Sequence, residues 1–187
     1  MISFSNSRLM SAKRIRRNKV LDRIWNGWRA DYVMHGQDTR STSDASIFTQ
    51  ILDSGLSDEE SFIVHRGKTV FAIMNAFPYT SGHLLVIPYR EVAELEMLSV
   101  EETSELWATV TDATKVVKSV YKPEALNVGL NLGAAAGGSI SQHLHVHIVA
   151  RWGGDTNFMV VTANTKILPE ALDVSASRIR EAWKTTI

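Results

Sequence analysis

Residues 139–154 read SISQHLHVHIVARWGG and hold three of the chain's six histidines, His143, His145 and His147, at every second position. Leu144, Val146, Ile148 and Val149 fill the places between and after them. Such alternation is a strand signature, because successive side chains on a strand point to opposite faces. The β-branched residues favour the same conformation. A strand over about residues 142–150 would set the imidazoles on one face, about 6.5–7 Å apart along it. Leu144, Val146 and Ile148 would then face the core, and Gln142 alternates to the face without histidines. Three readings of the ladder compete. It is the polar face of a half-buried strand, or a metal site, since neutral imidazole is the commonest metal ligand, or a catalyst acting on phosphate. For the last, a neutral imidazole with a pKa of about 6.5 is a competent nucleophile at neutral pH. Its neighbours on the face can donate to phosphoryl oxygens.

The residues upstream favour phosphate. LNVGLNL, residues 126–132, alternates as a short strand, and GAAAGGS, residues 133–139, is a turn of small residues. Glycine permits close backbone approach and positive φ. Successive amides at Gly137 and Gly138 can form an anion-binding nest, to which Ser139 adds a hydroxyl. The Gly-Lys-Ser/Thr ending of a P-loop is absent, which excludes that class of phosphate site.

HLHVHIV resembles the histidine-triad motif, His-φ-His-φ-His-φ-φ, at every position. FAIMNAFPYTSGHLLVIPYREV, residues 71–92, is similar to the nucleotide-binding half of the same histidine-triad (HIT) superfamily. IWNGWRADYV (24–33), RWGGDTNFM (151–159) and TKILPEAL (165–172) resemble segments of its bacterial branch related to diadenosine tetraphosphate phosphorylase. The likeness spans roughly residues 24–185. It implies an α+β fold, a HIT-like antiparallel sheet with flanking helices, here with an N-terminal helical extension. It also implies a homodimer or higher homo-oligomer, since the superfamily's dimers build a ten-stranded sheet.

The resemblance further implies a covalent nucleotidyl-histidine on His145, formed by attack on the α-phosphorus of an adenine nucleotide or dinucleoside polyphosphate. Phosphate would be the acceptor in a phosphorylase, water in a hydrolase. HIT-type phosphoramidase chemistry, a nucleotide-sensing module and a metal protein are the alternatives. His147 and His83, one of them cationic, would offset phosphoryl charge, while His143 orients its neighbours. Asn75 would hold the ribose hydroxyls, and Phe71 and Ile73 would line an adenine slot. Asn131, Gly137, Gly138 and Ser139 would hold phosphate. A backbone carbonyl is expected to fix the tautomer of His145. Many relatives carry Cys-x-x-Cys near the first helix as part of a structural zinc site. SIFT, with Ser46 and Thr49, stands there instead. Neutral hydroxyls are poor zinc ligands beside thiolates, so no metal is expected, and Ile47, Phe48 and Ile51 should hold that helix by packing. No tightly bound cofactor is implied; Mg²⁺ would only accompany the polyphosphate.

The elements that must position these residues are readable in outline. The chain has 187 residues, the length of one domain with a substantial core. We divide it into a basic tail over 1–18 and a single domain over 19–187. Acids and bases balance at 20 each, so the whole has no bias toward polyanions and nucleic acid is not an expected partner. Cysteine is absent, which excludes disulfides and zinc-thiolate sites. No apolar run reaches the roughly 18 residues of a membrane span, and a cytoplasmic place is expected. Residues 1–21 carry six Lys or Arg before the first acid, Asp22, and are rich in serine. That loosely resembles an organelle transit peptide, although a solvated basic tail suits it better.

Residues 19–33 read as a helix with an Ile24, Trp25, Trp28, Tyr32 stripe. Residues 35–43 read as a polar loop, and DASIFTQILDSG as a short helix from about Asp44 to Gly55. SFIVHRG, TVFAIMN and GHLLVIPY are strands, the first two joined through Gly67. SVEETSELWATVTDATKVVKSVY is a long helix with a Ser99–Glu102 capping box and a Leu106, Val110, Ala113, Val117 face. A further strand over 125–131 and a last helix over 173–185 complete the reading. His35 and His65 carry no supporting pattern. Trp152 is left to base stacking or a subunit interface.

Overall fold

The computed structural model describes residues 45–155 and 168–187. The tail, the 19–33 helix, the 35–43 loop and much of the RWGGDTNFM and TKILPEAL blocks lie outside the described residues, as does Asp44.

Five strands form one antiparallel sheet in the order β1-β2-β3-β5-β4. They are β1 (Ile63–Arg66), β2 (Val70–Met74), β3 (Leu84–Pro88), β4 (Ala125–Leu130) and β5 (Val146–Arg151). The connection between β3 and β4 is α2 (Val100–Tyr121); α1 (Ile47–Asp53) precedes the sheet and α3 (Leu172–Thr186) follows it. Alternation then decides the layers. Val70, Ala72 and Met74 of β2, Leu84 and Val86 of β3, and Val146 and Ile148 of β5 pack with Leu106, Val110, Ala113 and Val117 of α2 and Ile179 of α3. Phe71, Ile73, Leu85 and Ile87 point the opposite way and pack with Phe48 of α1. The histidine face is this second side, since His147 pairs with Leu85 in register.

The long helix has the anticipated cap: Ser99 Oγ accepts from the Glu102 amide, and the Glu102 carboxylate accepts from the Ser99 amide. Glu105 on the same helix ties down the β1–β2 turn through the amides of Lys68 and Thr69, at 2.6 and 2.7 Å. That contact fixes the long helix to the β1–β2 edge of the sheet.

Two element boundaries and one packing expectation need correction. The triad strand does not begin near residue 142 but at Val146, so His143 and His145 precede it. Its pairing with β3 stops at Val86↔Val146, and β3 ends on Pro88, which has no N–H to extend a ladder. The Leu144 amide instead donates to the Val92 carbonyl at 2.7 Å. The first helix is capped by Ser46, whose hydroxyl accepts from the Thr49 amide. Of its three expected packing residues, Phe48 is buried and Ile51 half-buried, while Ile47 is exposed. Packing alone does not hold α1.

Candidate active site

Neighbouring strands deliver four imidazoles to one patch. His83 precedes β3, His147 lies within β5, and His143 and His145 lie in the extended segment before it. All four bury most or all of their surface, with His83 and His143 wholly buried and His145 6 % exposed.

Partner chemistry fixes the protons. The Nδ1 of His145 lies 2.8 Å from the His143 carbonyl. A carbonyl only accepts, so Nδ1 carries the hydrogen and Nε2 keeps its lone pair. Burial pushes the His145 pKa below the ordinary histidine value, against the carbonyl hydrogen bond, which raises it. The ring therefore rests neutral, with Nε2 unprotonated. A second chain of contacts sets His147. The Tyr79 amide donates to His83 Nδ1 at 3.1 Å, so the His83 proton sits on Nε2. That nitrogen donates to His147 Nδ1 at 3.0 Å, which places the His147 hydrogen on Nε2. In this arrangement each of the two rings accepts a hydrogen bond at Nδ1, which a doubly protonated ring cannot do. What the pair supplies is an oriented N–H donor beside the neutral His145 ring.

The rings themselves form a continuous cluster. His145 and His147 have centroids 4.9 Å apart, and His83 and His147 5.2 Å apart. His143 stands outside this exchange. Its Nε2 donates to the Pro88 carbonyl at 2.8 Å, and its Nδ1 lies 2.6 Å from Ser46 Oγ. Both nitrogens are committed to protein groups, so the three triad imidazoles do not converge as metal ligands. Its contribution to His145 is the main-chain carbonyl.

Asn75 joins the cluster. Its amide nitrogen lies 3.3 Å from His83 Nδ1, and its carbonyl oxygen accepts from the Phe77 amide. Asn131 lines a cleft of about 470 Å³ beside His147, with Tyr79, Asn127, Val149 and Arg151. The following loop turns through left-handed Gly133 (φ 73°) and Gly137 (φ 92°). It folds back so that a side chain on Gly138 would touch the Asn131 side chain. Ser139 is exposed on that loop, and Ile140 packs against the histidine-side core. Phe71 and Ile73, expected to line an adenine slot, lie in the core on the histidine side of the sheet. They are 0 % and 4 % exposed, packed in the core that includes Phe48, and Phe71 stacks on Tyr89.

Zinc beside the first helix does not fit these residues. Ser46 and Thr49 are neutral hydroxyls already engaged with His143 and Glu91, and neutral hydroxyls are poor zinc ligands beside the thiolates that many relatives carry there.

A HIT domain model matches residues 57–154. The chain belongs to the HIT family. It is 45% identical over 167 residues, 87% of this chain and 85% of the relative, to a Mycobacterium tuberculosis protein named AP-4-A phosphorylase. A Schizosaccharomyces pombe protein named bis(5'-nucleosyl)-tetraphosphatase [asymmetrical] is 36% identical over about half of each chain. Among solved structures, a HIT-like protein of Bartonella henselae matches with a TM-score of 0.61 at 26% identity, over 76% of this chain and 99% of its own. The five-stranded antiparallel sheet with its flanking helices is the HIT fold.

Sequence reasoning missed two groups that shape this HIT site. Tyr79 holds His83 through its amide and stacks nearly parallel to His147; it lies in a turn, where no periodicity marks it. Phe48 stands edge-on to both His143 and His145, across almost a hundred residues of chain. Among the described residues, no helix is long and apolar enough to cross a membrane.

Proposed function

We propose that this HIT protein is a nucleotidyl transferase that cleaves dinucleoside polyphosphates, diadenosine tetraphosphate in the first instance, by way of a nucleotide bonded to His145. The observation that carries this reading is the hydrogen bond from His145 Nδ1 to the His143 carbonyl. It leaves Nε2 as a lone pair beside the oriented N–H of His147.

The lone pair of Nε2 forms the N–P bond at the α-phosphorus. The bond from that phosphorus to its bridging oxygen breaks, and the oxygen leaves with the electron pair as part of ATP. The imidazole becomes cationic, and the His143 carbonyl that accepts its Nδ1–H stabilises that charge. His147 Nε2–H donates to a phosphoryl oxygen as negative charge develops. An acceptor oxygen then attacks the same phosphorus and restores the neutral ring. Two easier displacements replace one hard one.

Phosphate as acceptor gives ADP, so phosphorolysis yields ADP and ATP; water yields AMP and ATP. Extended likeness to the mycobacterial phosphorylase supports phosphate, while the yeast relative's name supports water. A second anion beside the intermediate needs further donors, and Asn131, Ser139 and the Gly137 and Gly138 amides are the ones we assign. Asn75 is assigned to the ribose, Mg²⁺ accompanies the polyphosphate, and the working unit is a homodimer.

Diadenosine tetraphosphate incubated with and without phosphate, its products separated by chromatography, tests the branch. Phosphate-dependent ADP and ATP are expected. AMP as the main product at millimolar phosphate would contradict phosphorolysis and leave the covalent step standing. Ser139→Ala is expected to raise the phosphate requirement more than it weakens nucleotide binding; an equal effect on both would assign Ser139 to the nucleotide alone.

A further inference from the structure

A closed hydrogen-bonded cluster lies behind His143, built from α1 and from the loop after β3. Glu91 Oε2 accepts from the Ser46 amide at 2.9 Å and from the Thr49 hydroxyl at 2.7 Å. Ser46 Oγ lies 3.1 Å from Thr49 Oγ1 and 2.6 Å from His143 Nδ1. Because His143 Nε2 donates to the Pro88 carbonyl, its Nδ1 must accept, and the Ser46 hydroxyl proton goes there. The Thr49 hydroxyl proton goes to Glu91. Burial opposes charge on Glu91, yet the bonds from Ser46 and Thr49 hold its pKa below the ordinary carboxylate value.

Two routes lead from this cluster to His145. Along one, Ser46 clamps the His143 ring, and the His143 carbonyl in turn holds His145 Nδ1. Along the other, Glu91 fastens the first turn of α1, which carries Phe48. The Phe48 ring stands edge-on to His145 at 5.3 Å and to His143 at 5.5 Å. Glu91 makes no contact with the triad rings itself, and its grip on α1 is what brings both routes into register.

We infer that Glu91 is a positioning residue for His145: through Ser46, Thr49 and Phe48 it fixes the ring orientation and tautomer from which Nε2 attacks. This rests on the role given to His145 above. It also explains how α1 is held where thiolates and zinc do not fit: one carboxylate and two hydroxyls bind it to the triad.

Glu91→Ala, Glu91→Gln and Thr49→Val test it. Glutamine keeps an oxygen able to accept both bonds; alanine keeps none. In Glu91→Ala, kcat is expected to fall on the order of 10- to 100-fold, the scale of a misplaced reacting group, with KM changed far less. Glu91→Gln should recover most of the loss. Imidazole ¹H–¹⁵N spectra of the unliganded protein should show His145 as the pure Nδ1–H tautomer in wild type and as a mixture in Glu91→Ala. A folded Glu91→Ala with wild-type kcat, with loss confined to KM, or with the His145 tautomer unchanged would overturn the inference. Should Glu91→Ala fail to fold, Thr49→Val, which deletes a single hydroxyl, is held to the same tautomer and kcat criteria. The spectra require no substrate, so absence of turnover in the wild type would sink the functional reading while leaving Glu91's role decided separately.

Discussion

At the scale of single residues, the site is a problem of proton placement. His145 must be unprotonated at Nε2 to attack, and burial holds its pKa below the ordinary histidine value. The acid limb of kcat/KM reports the free enzyme's essential groups. It is therefore expected to lie below pH of about 6.5, with activity constant through neutrality. An acid limb well above that value would mean that a different group limits the reaction. His147→Ala removes the donor aimed at the phosphoryl oxygens and should lower kcat on the order of 10²- to 10³-fold, while nucleotide binding measured by calorimetry changes little. The three histidines were legible because their spacing is a strand's spacing. The contacts that assign their protons were not. Ser46 and His143 are 97 positions apart, and alternation carries no information on which distant hydroxyl meets which ring.

Elements convert that chemistry into fixed geometry. His83 reaches the cluster because Gly82 turns the chain into β3 at φ 75°, a left-handed conformation that favours glycine. A side chain there would also come within 2.5 Å of the Tyr121 ring on α2. Gly82→Ala is expected to cost about 1–3 kcal/mol, read as a lower denaturant midpoint, and to reduce kcat through His83. Unchanged stability would mean that the turn relaxes freely. The strands and the long helix were readable from periodicity, and the capping box from Ser99 and Glu102 alone. The start of β5 was not. An extended segment with alternating side chains looks the same whether or not a neighbour pairs with it. Here Pro88 ends the pairing that would have carried the strand back to residue 142.

Across the whole molecule, the same burial that keeps the imidazoles neutral ties stability to pH. Burial lowers the pKa of His65, His143 and His145, so between the folded values and the unfolded value of about 6.5 the unfolded chain binds more protons. Stability then rises with pH across that window. It should be constant above neutrality and decline as pH falls through about 6.5. A second decline is expected below the ordinary carboxylate range. The Arg90 hydrogen bond and the Ser99 amide hold Glu102 at about 2, and that contribution is lost as pH drops toward this value. Denaturation followed from pH 8 to about pH 2 checks both, and a flat profile between 8 and 5 would show that the imidazoles charge without cost. The antiparallel α+β class was legible from the run of elements, whereas the insertion of β5 between β3 and β4 depends on a helical crossover that local pattern does not encode. Every layer of this architecture serves the lone pair on His145 Nε2. The most direct test is to mix the protein with α-³²P-labelled diadenosine tetraphosphate, quench under denaturing conditions that preserve a phosphoramidate, and map the label. Label on His145 in the wild type, with none on His145→Asn and at least about a thousandfold less turnover in that variant, is the expected result. Turnover by the wild type without protein-bound label, or near-normal turnover by His145→Asn, would contradict the covalent account.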